Sequence, residues 1–356
     1  MAFATVSDPL VAAALWIGAG ALALSAALVA AILLLRLRLI VRLAHEARFS
    51  AAWQPLLAAC VNGVPRELPP LDEVNGVLFL RLWVHAQEWL RGESQRHLVE
   101  FAVRVGADRL AVRFLGSNEP RKELLALVAL GHLRFPGTLP LAEALIDVES
   151  PVISLTAAQA LLRIDAVREL PRVVDVAARR ADWPIAKIAA MLAECGPDLA
   201  SSALCAAIDA QYGQRPAGPA LARLLRLLRT ASAEIVRPVV LRVFEGDESP
   251  EAVAAALDVL WHPDDARLAR AAASHAQWFV RVAAAKALGR IGTAGDAGLL
   301  LGMLSDQSWW VRYRSAQALA RLPGMTSAEL ARMRDSAGDR YAGDMLAQVV
   351  SEMGAS

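Results

Sequence analysis

A short helical pattern ending on an Ala-Leu knob recurs seven times between Leu130 and Leu319, spaced by little more than 30 residues. A chain built that way does not close one globular core, because each unit can bury its apolar face only against the units before and after it. The clearest copies are WFVRVAAAKALGRIG (278–292) and WWVRYRSAQALARLP (309–323), offset by 31 residues. Trp278, Val280, Arg281, Ala287, Leu288, Arg290 and Ile291 of the first meet Trp309, Val311, Arg312, Ala318, Leu319, Arg321 and Leu322 of the second. Stepping the register back from Leu319 lands on Leu288, Leu257, Leu225, Leu192, Leu161 and Leu130, in steps of 31, 31, 32, 33, 31 and 31. Such a chain offers an extended surface for holding a partner, with no evident pocket for chemistry.

Within each unit the second helix carries apolar residues at i, i+4, i+7, i+8 and i+11, as in Val280, Ala284, Ala287, Leu288 and Ile291, which is one face of a 3.6-residue period. First helices are expected at 139–146, 170–177, 199–208, 235–244 and 299–304. Turns such as ESP (149–151), DESP (247–250) and SDQS (305–308) supply caps and breaks between them. No alternating run competes for a strand, so the expected fold is all-α, an apolar N-terminal helix followed by an α-α superhelix. Upstream, the Pro65, Pro69 and Pro70 break marks a junction. The expected domains are an anchor with a basic juxtamembrane helix at 1–48, a helical cap at 49–119, repeats at 120–323 and C-terminal capping helices at 324–356.

From Pro9 through Leu35 there is no charged side chain. At 1.5 Å per residue a hydrocarbon core of about 30 Å needs roughly 20 residues, so this stretch is long enough to cross a membrane. Residues 1–8 carry no Lys or Arg and one Asp8, whereas Arg36, Arg38, Arg42 and Arg48 follow the stretch. The positive-inside rule then puts the N-terminus outside and the remainder in the cytoplasm. Arg36, Arg38 and Arg42 are candidate membrane-surface residues, placed to snorkel to anionic headgroups. A cleavable signal would need a basic start and a shorter apolar core, and neither is present. Ala19, Ala23, Ala27 and Ala31 form a small-residue row that permits helix–helix association in the membrane, although an Ala-rich chain also produces such rows by composition.

Charge is nearly balanced, 37 Lys plus Arg against 36 Asp plus Glu, which argues against nucleic acid as a partner. Only Lys122, Lys187 and Lys286 are lysines, and the Arg, Ala and Leu excess points to a GC-rich bacterial genome. Cys60, Cys195 and Cys205 form neither a CxxC pair nor an even disulfide framework, which fits a reducing compartment.

The VRxxAAxALxxI helix, following a short apolar helix and an Asp/Ser/Pro turn, resembles HEAT repeats of the short, phycobilisome-lyase-like type over 121–323. The whole layout, ending in DRYAGDMLAQVV (339–350), resembles bacterial inner-membrane HEAT-repeat proteins. The resemblance implies a membrane-tethered scaffold that holds a cytoplasmic or membrane protein partner, with envelope polysaccharide glycosyltransferase machinery as one candidate and the partner's identity open. The alternative it carries is a lyase or hydroxylase of the same repeat architecture, or an accessory subunit of one.

That alternative lacks residues to act with. A di-iron hydroxylase of this type needs several His-Glu pairs on successive helices, and the one such pair, His45-Glu46, lies beside the apolar helix. His85, His97, His132, His262 and His275 have no recurring acidic neighbour, and no nucleotide, acyl-transfer or zinc-protease motif is present. No catalytic, cofactor or metal residues are therefore assigned, and the expectation is a protein that is not an enzyme.

The candidate partner patch is aromatic: Trp278, Trp309, Trp310, Arg312, Tyr313 and Arg314, since large aromatics beside arginine are enriched at interaction hot spots. In each pair, Trp278-Phe279 and Trp309-Trp310, one ring is expected in the core between repeats and the other at the rim. Asp306 and Arg312, across one turn, are expected to form a capping ion pair. Arg281, Arg290, Arg312, Arg314 and Arg321 form either a basic stripe or a solvated face neutralised by neighbouring acids.

Overall fold

A computed structural model describes residues 9–117, 119–212, 219–246, 248–336 and 339–354. The expectations for residues 1–8 and for Asp247 in the DESP turn fall outside these. Among the described residues all regular structure is helical, in two compact units, 1–133 and 134–356.

The first unit opens with α1 (Pro9–Ala59), an unbroken helix of 51 residues. Its apolar part is uncovered among the described residues, and Leu22 and Ile17 are about three-quarters exposed. The helix is long and apolar enough to cross a membrane by length and composition. Its last turns, and Cys60 just after them, instead face protein. Trp53, Leu57 and Cys60 are buried against α2 (Gly76–Trp89), α3 (Glu93–Arg104), α4 (Ala107–Leu115) and α5 (Pro120–Leu133). Trp53 meets Phe79 edge-on at 4.8 Å between ring centroids, and the Trp83 indole donates to the Leu98 carbonyl at 2.8 Å. Burying an indole needs that partner for its N–H, so this bond ties α2 to α3.

In the second unit, helix pairs follow one another at the sequence period: α6 (Leu139–Glu143), α7 (Pro151–Arg179), α8 (Ile185–Glu194), α9 (Pro197–Tyr212), α10 (Pro219–Leu227), α11 (Ala233–Val243), α12 (Pro250–Val259), α13 (Ala266–Ala272), α14 (Trp278–Ile291), α15 (Ala297–Met303) and α16 (Trp309–Leu319). Within α7 the backbone leaves helical geometry at Asp165 (φ −149°, ψ 86°), so it holds the second helix of one repeat and the first of the next. Asp165 accepts the Arg168 N–H at 3.1 Å, satisfying a donor at the start of the new helix. Leu161, Leu192, Leu225, Leu257, Leu288 and Leu319 are all fully buried. Each removes a large apolar side chain from water, worth about 1.5–3 kcal/mol apiece.

Side-chain bonds between repeats span roughly one period. Arg163 reaches Glu194 at 3.1 Å, the Ser232 N–H reaches the Ser201 hydroxyl at 2.7 Å, and Arg242 reaches Asp209 at 2.7 Å. Arg237 with Asp265, Arg270 with Asp296 and Arg281 with Asp306 repeat one device, a guanidinium fork on the carboxylate of the following unit. Beyond α16, α17 (Ser327–Ser336) and α18 (Arg340–Gly354) continue the pattern, because α18 starts 31 residues after α16 and buries Ala342, Leu346 and Val349.

Candidate protein-binding surface

The first residues of α14, α16 and α18 present aromatic rings on the second unit. Val280 and Val311 are the residues that enter the core, and both are fully buried. The residues before them are less buried. Trp309 and Trp310 are both exposed, 41% and 51%, so neither ring packs between repeats; this corrects the expectation of one ring in and one out. The indoles pack on each other edge-on at 4.8 Å instead, and Trp309 stacks on Tyr313 at 5.1 Å and 14°. In the preceding unit Trp278 is exposed and Phe279 half-buried, their rings edge-on at 6.0 Å.

Two polar groups fix the Tyr313 ring. Its hydroxyl donates to Glu352 of α18 at 3.2 Å and accepts from Gln317 at 2.8 Å, and Gln317 in turn accepts from Arg314 at 2.7 Å. The Arg314 guanidinium lies over the same ring, 5.7 Å from its centroid. A network of this kind holds an aromatic surface in one conformation and lowers the ordering cost of binding.

Arg312 is used differently. The carboxylate of Asp306 takes both prongs of Arg281, at 2.7 and 2.8 Å, and the Ser308 N–H at 2.8 Å. Arg312 reaches only the backbone carbonyls of Asp306 and Gln307, so the expected Asp306–Arg312 ion pair is replaced by one with the preceding repeat. Arg281 binds the carbonyls of His275 and Ala276 in the same way one period earlier. Burial pushes the Asp306 carboxyl up, but the Arg281 and Ser308 hydrogen bonds outweigh it and hold its pKa below the ordinary value. Arg312 is thus a positioning residue that clasps its own turn, with its guanidinium 5.1 Å from the Tyr341 ring centroid.

Tyr341, 61% exposed, extends the aromatic row to α18. Sequence reasoning misses it, although the repeat offset applied to Phe279 and Trp310 lands on it.

The candidate membrane-surface residues Arg36, Arg38 and Arg42 are exposed on α1, and Arg42 bonds Glu46 one turn on at 3.0 Å. The histidines have local tasks. His45 pairs with Asn75 at 2.6 Å, His97 with the Cys60 carbonyl at 3.0 Å, and His275 accepts the Gln277 N–H at 3.0 Å ahead of α14. Among the described residues no three His, Cys, Asp or Glu side chains converge to hold a metal ion. Burial raises the Cys60 thiol pKa to about 11, so it is a poor nucleophile at neutral pH.

A family model described as HEAT repeats matches residues 238–320 and again 271–347, the two matches starting about one repeat apart and together reaching into α18. No curated protein is matched by the sequence.

Proposed function

We propose that this chain is a membrane-tethered scaffold that binds a protein partner on its repeat solenoid and performs no chemistry itself. The observation that carries the reading is the aromatic face of α14, α16 and α18. Trp278, Trp309, Trp310 and Tyr341 are exposed there, and Tyr313 and Arg314 are held by hydrogen bonds that a packed core would not require. Rigid aromatics flanked by arginine are the residues on which protein interfaces concentrate binding energy. The uncovered apolar stretch of α1 supports an anchor, and Arg36, Arg38 and Arg42 after it support a cytoplasmic solenoid at a bacterial inner membrane. Tethering raises the effective concentration of a partner confined to the same surface, so modest affinity suffices. A protein of the envelope polysaccharide glycosyltransferase machinery is the proposed partner.

The test is photo-crosslinking in intact membranes from a reactive residue placed at position 310, beside the Trp278→Ala and Arg314→Glu variants. A discrete set of crosslinked proteins that both variants deplete is expected. Crosslinks that persist in both variants remove the aromatic face from the proposal. Digestion of the solenoid by protease added outside spheroplasts would refute the cytoplasmic placement.

A further inference from the structure

A second surface of the repeat unit has different chemistry. A cleft of about 330 Å³ opens where α12 ends, lined by Arg229 before α11, Asp258, Leu260 and Trp261 at the end of α12, and Lys286 and Arg290 on α14. Its charges do not balance. Lys286 is neutralised by Asp258 at 2.7 Å, the one carboxylate in the lining. Arg290 donates Nη2 to the Leu257 and Leu260 carbonyls at 2.8 and 3.3 Å, leaving Nε and Nη1 without a hydrogen bond among the described residues. Arg229 is exposed and makes no side-chain hydrogen bond or ion pair among them. Arg290 keeps exposed surface, yet crowding by neighbouring atoms lowers its pKa; Asp258 opposes this, while Arg229 and Arg321 add to it. Like charges gathered without matching acids are unfavourable until an anion joins them. The chain as a whole is nearly neutral, so this excess is local.

The rest of the lining is apolar. Leu228, Val236 and Leu260 are buried, and Trp261 keeps about a third of its surface exposed at the rim. An inorganic anion would leave most of such a cleft unfilled, whereas a short peptide places carboxylates and an apolar side chain side by side. We propose that this cleft takes an acidic segment of a protein partner, its carboxylates on Arg229 and Arg290 and an aromatic or aliphatic side chain against Trp261. The paired guanidiniums provide forked donors for carboxylates, and the indole provides the apolar contact. It rests on the proposed function only in that the solenoid holds protein.

Calorimetric titration of the full chain in detergent with the peptide Glu-Glu-Phe-Glu-Glu, its all-Gln counterpart and inorganic phosphate tests it. The acidic peptide is expected to bind, and the Gln peptide and phosphate at least about tenfold more weakly. Arg229→Glu, at an exposed and unpaired position, should weaken the acidic peptide by about tenfold or more with the melting temperature unchanged. Trp261→Ala should weaken it as well, whereas Trp310→Ala should not, which separates failure of this cleft from failure of the aromatic face. No binding of the acidic peptide, equal binding of the Gln peptide or of phosphate, or wild-type affinity in Arg229→Glu overturns the proposal.

Discussion

At Asp306 one carboxylate takes two hydrogen bonds from Arg281 of the preceding repeat and one from the Ser308 N–H of its own turn. Both side chains of the ion pair are mostly buried, 17% and 12% exposed, so losing one partner strands the other in a poorly solvated place. Because the folded pKa of Asp306 lies below its unfolded value near 3.9, its stabilisation is present above that pH and is lost as pH falls through the folded value. Asp296, held by Arg270 and by the Thr293 N–H, shifts the same way. Circular-dichroism melts should therefore show a plateau at neutral pH and a decline below about pH 4. Asp306→Asn is expected to lower the plateau by about 1–3 kcal/mol and to flatten the acid decline. An acid slope identical to wild type would remove Asp306 from the account. The pair is illegible in the sequence because its partners lie on different repeats, and a bond to the adjacent turn is the arrangement that spacing suggests. The leucine register is legible because one burial requirement returns every period.

Between α14 and α16 the fit depends on Gly289. A Cβ there would sit 2.9 Å from the Ala318 Cα and 3.1 Å from its Cβ, and neither atom can swing aside as a flexible side-chain end could. Gly289 costs helix propensity of about 1 kcal/mol relative to Ala, and close approach of the two helices offsets that. Gly289→Ala should thus destabilise by about 1–3 kcal/mol despite the better helix former, whereas Gly302→Ala, where nothing lies within 4 Å, should be neutral or stabilising. Chemical unfolding of the two variants checks this, and a stabilised Gly289→Ala would mean that the helices have room to part. At this scale the stack from α7 to α16 is visible in the sequence. The α17–α18 pair is harder to see, because Arg340, Gly343 and Asp344 occupy the places of Trp309, Arg312 and Tyr313 and mask the signature. The burial of Ala342, Leu346 and Val349 restores the register. The exposure of Trp309 and Trp310 is likewise a matter of element geometry, since the first turn of α16 projects both rings away from the face that Val311 buries.

At the scale of the molecule the governing element is α1, which runs without interruption from its apolar stretch to Trp53 in the core of the first unit. From Arg36 to Trp53 the helix rises about 25 Å, and that distance sets how far the core of the first unit stands off the bilayer surface on the proposed anchoring. Seven residues of helix-forming sequence inserted after Arg42 should raise the protein layer by about 10 Å, measurable by neutron reflectometry on a supported bilayer. An unchanged layer height would mean that α1 neither stands upright nor anchors the chain.

A helical post also couples height to azimuth. Each residue added to α1 between Arg42 and Trp53 turns α2 to α5 by about 100° around the helix axis, which on the proposed anchoring lies along the membrane normal. On the proposed anchoring, homologues of different post length should then differ by close to whole numbers of turns, with gaps clustering at about four, seven or eleven residues, since an intermediate step would turn α2 to α5 away from the neighbours they face.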